Sequence, residues 1–584
     1  MKDRQTTPKR KLIITFSILG FLILAVYIIN VIIGNIIEKK INKAISLKYE
    51  GEYNVSIKKV GVNLLAGNVT IKQLEITPDS SLLSRYRKGQ SRLSSVMDME
   101  VPVFRLVGLN IIEAVTKSVI DVKVLEIKNA AIKFHTGIQP NDSLLPEKNS
   151  VEKKLNLDSI QFSGLQGIKV GKIELVNCAI NIYNEKTQIS VVEADQIDVS
   201  FTGISLNKLE GIDDYYQLVV TDLKFELLDE KLSLPGDLYF LTFKKLDYNK
   251  ATTSLIIQGL KVFPQIEDEY KMAQKLVYTS EIFNVSADEI KVFNFNLRQI
   301  LNEKKFIADS INISNLDLDM LKDKRFPWNM DKRPQLPNHA LRKMKFPLYI
   351  GQINIRDSRL YYHEIMEGVD EQMKVTLDKL NIQVNYITSL KDSTTTLNKQ
   401  MTINLRSKLM NAADLNAKFT LYLNSSTDAF YFRGTLGPTQ IDVFNAALRP
   451  AAGMEIDSGY LEKVEFSATA NNVNSTGKMT MVYSGLTANI LKKKADDKDK
   501  FLSFFSNSVV RSSNPGKNGK LRTAQMGFDR VEYKGFGNFV WKTLQTGIVN
   551  TVLPTGKSEK QVKDAAKSSD KSNNKQQKKG KKKK

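Results

Sequence analysis

Two stretches of this chain, IKVGKIELVNCAINIYNE from Ile168 and LYIGQINIRDSRLYYHE from Leu348, carry nearly the same alternation of apolar and polar residues. In the first the apolar positions are Ile173, Leu175, Ile180 and Ile182; in the second they are Ile353, Ile355, Leu360 and Tyr362. A period of two marks a strand with one face turned to an apolar environment. In both stretches the parity flips midway, which in a straight strand would turn the second half inside out. Asn177 and Asp357 stand at the flip, and these residue types tolerate a left-handed backbone better than other non-glycine residues. The pattern predicts a β-bulge or a very tight turn at each, absorbing one residue and keeping the apolar residues on one face.

The same spacing recurs at Leu125, Ile127, Asn129, Ile132 and Phe134, and again at Ile311, Ile313, Asn315, Leu318 and Met320. ADQIDVSF from Ala194 and LDKLNIQVN from Leu377 follow two of these boxes as second strands, and ADEIKVFNF from Ala287 is like them. A chain that repeats strand, bulge, loop and strand grows by adding strand to strand rather than by closing a compact ball.

Near the N-terminus, Leu12 to Ile33 is an uncharged apolar run, and at about 1.5 Å per residue it spans a hydrocarbon core of about 30 Å. A cleaved signal peptide would have a shorter apolar region and a small-residue cleavage site, and AVYIINVII offers none. The run is therefore expected to be an uncleaved transmembrane helix within 12–37. Lys2, Arg4, Lys9, Arg10 and Lys11 precede it, and Lys39, Lys40, Lys43 and Lys48 follow it. The basic flank of a first span favours an N-terminus inside, with the bulk of the chain on the far side.

These features together resemble the AsmA-like family of membrane-anchored periplasmic proteins, which is related in architecture to bridge-like lipid-transfer proteins. YNVSIKKVGVNLLAGNVTIKQLEITPD from Tyr53 is similar to the family's opening strands, and Val101 to His135 to its strand, short helix, strand unit. Phe432 to Asn472 resembles the C-terminal AsmA-like segment, with a strand, a short amphipathic helix and a Gly turn into the next strand, and Gly477 to Leu491 continues it. The resemblance implies an inner-membrane protein with its bulk in the periplasm, linked to lipid traffic and outer-membrane homeostasis.

The expected fold is mainly β: an N-terminal transmembrane helix, then an elongated, twisted, largely antiparallel sheet forming a groove, with a few short helices and a disordered Lys-rich tail. The divisions are a basic N-terminus (1–11), the span, a repeated β region (45–410), an AsmA-like β region with a terminal amphipathic helix (411–556) and the tail (557–584). Strands side by side would gather their apolar residues into one strip, which water cannot be left to cover. The residues themselves allow two arrangements. In one the sheet curls over its own core; in the other the strip is an open groove for acyl chains. The resemblance implies the groove, lined by Leu125, Ile127, Ile132, Phe134, Ile173, Leu175, Ile180, Ile182, Ile353, Ile355, Leu360 and Tyr362, with membrane lipid, in the first place phospholipid, as its partner.

In FGNFVWKTLQTGIVNTVL, residues Phe536, Val540, Leu544, Ile548 and Val552 recur every four positions with Trp541 beside them, the stripe of an amphipathic helix. Such a helix either lies on a membrane or caps the open end of the sheet.

The formal charge of +22 is concentrated at the C-terminus, where twelve lysines from Lys557 onward face only Glu559, Asp564 and Asp570. Low complexity and few apolar residues leave that tail without a core. It is either a solvated tail or one drawn to anionic head groups or nucleic acid. Nucleic-acid recognition needs basic residues interleaved with aromatics on a folded face, so no nucleic acid is expected as a partner.

No catalytic or metal-binding constellation is expected either, and no cofactor. The single cysteine, Cys178, allows neither a disulfide framework nor a Cys-rich zinc site. HEIME at His363 lacks the second histidine of a zinc helix, and no phosphate-binding loop or nucleophile elbow is present. His135 and His363 fall where the copy at Ile173 has Tyr183, which reads as structural. The other reading is a non-lipid scaffold that binds envelope proteins and influences outer-membrane assembly.

Overall fold

The computed structural model describes residues 53–553, apart from 64–65, 92, 94, 111–112, 114–115, 118, 139–158, 162–166, 209–214, 221–223, 235, 237, 297–298, 301–304, 391–399 and 492–509. The expected span at Leu12 to Ile33 and the lysine tail lie outside these residues. Among the described residues no helix is long and apolar enough to cross a membrane. The chain divides into two compact units, Met1–Ile257 and Gln258–Lys584, each built on a mixed, mostly antiparallel sheet.

In the first unit the elements are β1 (Tyr53–Asn63), β2 (Asn68–Pro78), α1 (Ser80–Arg87), β3 (Val96–Val107), β4 (Val119–Lys128), β5 (Ala131–Thr136), β6 (Ser159–Gln161), β7 (Gly167–Asn184), β8 (Ile189–Lys208), β9 (Tyr215–Val220), β10 (Lys224–Ser233) and β11 (Tyr239–Asn249). Strands β1, β2 and β3 form an antiparallel meander. Strand β3 then pairs with both β4 and β5, the two halves of one strand interrupted at Asn129. These halves run parallel to β7, which pairs antiparallel with β8, followed by β10 and β11. The Asp79 carboxylate caps α1 by accepting from the Ser81 amide at 2.8 Å.

Strand β12 (Ser254–Pro264) crosses the division between the units. The second unit continues with α2 (Glu269–Leu276), β13 (Glu281–Phe293), β14 (Phe306–Ser314), β15 (Asp317–Asp323), α3 (Pro337–Lys343), β16 (Leu348–Ile365), β17 (Met373–Thr388), β18 (Gln400–Leu409), β19 (Ala413–Tyr422), β20 (Phe430–Leu436) and β21 (Thr439–Gln440). A 3-10 turn and α4 (Asn445–Ala452) lead through left-handed Gly453 into β22 (Met454–Ala470), followed by β23 (Asn474–Ile490), β24 (Thr523–Asp529) and α5 (Phe536–Val552).

The second unit opens on the arrangement seen in the first. Strand β13 pairs with the two halves β14 and β15, these run parallel to β16, and β16 pairs antiparallel with β17. Antiparallel strands β18, β19, β20, β22, β23 and β24 then extend the sheet in order. The four sequence boxes are therefore paired two by two in parallel register: Leu125 beside Ile173, Ile132 beside Ile180, Ile313 beside Ile355, and Leu318 beside Leu360. The stretch at Ala287, expected to match the second strands at Ala194 and Leu377, takes the place of β3 instead, preceding its box.

At the parity flips, Asn129, Asn177, Asn315 and Asp357 all have left-handed backbone, with φ of 56°, 51°, 52° and 50°. The parallel register is the same on both sides of the flip, while against the antiparallel partner the register shifts by one residue and back again across it, at Leu175, Cys178 and Ile180 in β7 and at Ile355, Ser358 and Leu360 in β16, as a bulge in each strand would do. Because neighbouring strands flip in the same place, the sheet inverts its alternation along a crease that runs from β1 to β8 in the first unit and from β13 to β17 in the second. In the first unit β1 shows it most plainly, with Val55 and Ile57 half-buried before the crease, Lys58 and Lys59 exposed within it, and Val60 and Val62 half-buried after it.

Candidate functional site

The residue after each left-handed position is drawn to the apolar face. Cys178 is 0% exposed, Ala130 1% and Ser358 3%. Burial of Cys178 pushes its thiol up, towards the neutral form. Gln73, Asp229 and Lys379 take left-handed backbone in the same way, burying Leu74, Glu230 and Leu380. These three positions were not expected. Gln and Lys carry no left-handed preference, but the parity flip from Ile71 to Leu74 and Ile76 was there to be read.

On the apolar face, side chains from successive strands stand opposite one another in continuous rows. In the first unit one row runs Val60, Ile71, Phe104, Ile127, Leu175, Val199, and another, beyond the crease, runs Val55, Ile76, Met99, Ile132, Ile180, Ala194. Leu125 beside Ile173 and Phe134 beside Ile182 lie in the adjoining rows. In the second unit a row runs Val292, Ile311, Ile353, Val384, Ile403, Phe419, Phe432, and its neighbour runs Ile290, Ile313, Ile355, Ile382, Leu405. Beyond the crease Leu360 lies between Leu318 and Leu377, and Tyr362 between Met320 and Val375.

All twelve candidate lining residues are half-buried, neither sealed in a core nor open to water. The same holds for Ile311, Ile313, Ile382, Val384, Ile403 and Leu405, whereas Phe432 at the end of its row is buried. The rows thus run from a partly covered region into a sealed core at β20–β24. A strip of half-buried apolar side chains on several adjacent strands can hold another apolar molecule by exclusion of water and has no fixed polar contact to orient it.

Charged residues bound this strip at one end. Glu281, Lys322 and Glu364 stand opposite one another on β13, β15 and β16, next to Phe283, Met320 and Tyr362. Lys322 meets Glu281 at 2.6 Å, and Lys324 pairs with Glu364. Burial works against ionisation of Glu281, but the charge and hydrogen bond of Lys322 outweigh it and hold the carboxyl below its ordinary range. The Tyr362 hydroxyl donates to Glu364 at 2.5 Å, and burial, followed by that carboxylate, raises its pKa far above the phenol value.

At the sealed end, α5 packs on β23 and β24. Its innermost line is Phe539, Thr543, Thr546 and Val549, together with Gly547 and Val552. Phe536, Val540, Leu544 and Ile548 flank that line, half-buried, and Trp541 is 51% exposed. Small residues let the helix approach closely: Thr543 and Ser475 share a hydrogen bond of 2.7 Å, and a Cβ on Gly547 would lie 2.7 Å from Met526 Cγ. The helix packs against β23 and β24 with its buried line turned about one residue round from the four-residue stripe.

The three histidines are held in local pairs. His135 Nδ1 lies 2.6 Å from Glu185, which also binds Arg87; His339 meets Asp428; His363 lies between Gln372 and Asp319. Among the described residues no three His, Cys, Asp or Glu side chains converge as a metal site would require. No family model and no curated protein matches the chain.

Proposed function

We propose that this chain is an inner-membrane-anchored, periplasmic lipid-binding and lipid-transfer protein of AsmA-like type, contributing to outer-membrane homeostasis. In this reading Leu12 to Ile33 anchor it with the N-terminus in the cytoplasm, and the apolar rows hold the acyl chains of phospholipid. The observation that supports it most is the row from Val292 to Phe432, whose apolar residues from Ile311 to Phe419 pack against the core cluster yet are only half-buried on successive strands.

Six strand spacings of about 4.8 Å make that row about 29 Å long, roughly twice the depth of one bilayer leaflet's hydrocarbon. Each CH₂ placed against it is worth about 0.8 kcal/mol. With no polar side chain in the row, a chain moving along it exchanges one aliphatic contact for the next. No bond is broken in this mechanism, and no cofactor takes part.

Native mass spectrometry with lipid extraction tests the reading on a chain spanning residues 46–556. Stoichiometric phospholipid on the wild type, lost from a folded variant carrying Ile180→Asp and Ile355→Asp, is the expected outcome. A folded wild type without lipid, or a folded double variant that keeps it, overturns the proposal.

A further inference from the structure

The opposite, polar face of the second unit's sheet carries an open trough of about 980 Å³ between β16 and β24. Five cations line it: Arg356, Arg406, Lys418, Arg433 and Lys478, one on each of β16, β18, β19, β20 and β23. None of the five meets a carboxylate among the described residues.

Two further cations on this face are paired, Lys408 with Asp414 at 2.8 Å and Arg359 with Asp317 at 2.6 Å. Glu465, the one acid lining the trough, is held by Lys463 at 2.6 Å. Lys418 and Arg433 moreover stand directly opposite each other in register, an arrangement of like charges that destabilises a sheet unless an anion lies between them.

The lining also decides among anions. Phe466 is the one aromatic residue along the trough, and it packs with Phe432 in the apolar cluster, leaving no platform on which bases could stack. The side-chain amides of Gln383, Asn404 and Asn416 both donate and accept. A polypeptide backbone uses both halves of an amide, whereas phosphate oxygens only accept.

From Arg356 to Lys478 the cations cover six strand spacings of about 4.8 Å, near 29 Å, the length of about nine extended residues. We propose that this trough docks an extended acidic segment of a partner polypeptide, its Asp and Glu carboxylates pairing with the five free cations. The five cations lie on the face opposite the apolar rows, although Ile355, Ile382 and Leu405 of the second row also line the trough, and their pairing with carboxylates does not depend on what those rows carry.

Fluorescence anisotropy on the full-length protein, with a labelled ten-residue peptide of alternating Glu and Ser, tests it. Saturable binding is expected, weakened at least tenfold by Lys418→Gln with Arg433→Gln and steadily by added salt. Both side chains are exposed, so an unchanged thermal melt will show that the variant is folded; Arg406→Gln with Lys478→Gln provides a second pair. Affinity unchanged in both folded double variants would mean that the peptide binds elsewhere, such as on the lysine tail, and would overturn the proposal. So would stronger binding of short polyphosphate, or of phosphatidylglycerol vesicles, than of the peptide at equal charge.

Discussion

Asn177 donates its side-chain amide to the side-chain oxygen of Asn129 at 2.8 Å, and these parallel-strand neighbours both hold a left-handed backbone. Asn315 and Asp357 are likewise parallel-strand neighbours with left-handed backbone in the second unit, where the Asn315 side-chain amide donates instead to Asp288 at 2.7 Å. Each pair lies at the point where the sheet inverts its alternation, and the inversion is what keeps the apolar residues of both halves of each strand on one face.

Substitution at the crease should follow backbone preference. Asp357→Gly is expected to be nearly neutral, because glycine enters the left-handed region freely, whereas Asp357→Val should cost about 1–3 kcal/mol. Urea unfolding of the two variants checks this; equal stability would mean that the left-handed residue is incidental.

Gly171 and Gly351 occupy equivalent places two residues before Ile173 and Ile353. A Cβ on Gly351 would lie 2.6 Å from the Asp309 carbonyl oxygen, and one on Gly171 would lie 2.7 Å from that of Lys123. Gly351→Ala should therefore destabilise by about 1–3 kcal/mol. Gly61→Ala, whose nearest atom is the Thr70 oxygen at 3.9 Å, should cost less than about 0.5 kcal/mol. A thermal melt showing the reverse order would contradict the close strand approach.

Helix α5 gives a contrast between neighbouring residues. Phe539 is 2% exposed and packs on Phe430 and Phe528, so Phe539→Ala should cost about 3–5 kcal/mol. Trp541→Ala should stay within about 0.5 kcal/mol in chemical denaturation. A large loss on removing Trp541 would place the packing stripe where the four-residue spacing put it.

Glu230 links stability to pH. It is 2% exposed, and burial is the main reason its pKa rises to about 7, against a hydrogen bond from the Asp198 amide. Its folded pKa lies above the ordinary value, so the folded state binds the proton more tightly. Its favourable contribution is thus complete below about pH 4.5 and is lost as pH rises towards 7. Glu230→Gln should leave the melting temperature little changed at pH 5 and raise it at pH 8. No difference between the two pH values would show that the carboxyl is solvated.

Much of the crease was legible in the sequence because it is local: a parity flip and an Asn or Asp at its centre mark Asn129, Asn177, Asn315 and Asp357. The parallel pairing of the boxes was not legible, since Leu125 and Ile173 are neighbours across a long connection and a strand's alternation does not depend on its partner's direction. The apolar rows followed from the boxes, although the innermost residues, Cys178 and Ser358, did not, because they fall between the two alternating halves. The polar trough was invisible for another reason. Arg356, Arg406, Lys418, Arg433 and Lys478 are scattered along the chain, and each by itself marks only a solvent-facing position.

The lipid reading rests on one face of the sheet, and adjacent residues separate the faces. A photocrosslinking amino acid can be placed in the full-length protein in cells at the position of Ile353, on the apolar row, and separately at that of Asn354, which lines the polar trough. After irradiation, phospholipid adducts detected by mass spectrometry at the first position and absent from the second are the predicted result. No lipid adduct at Ile353, or equal labelling at both positions, would contradict it.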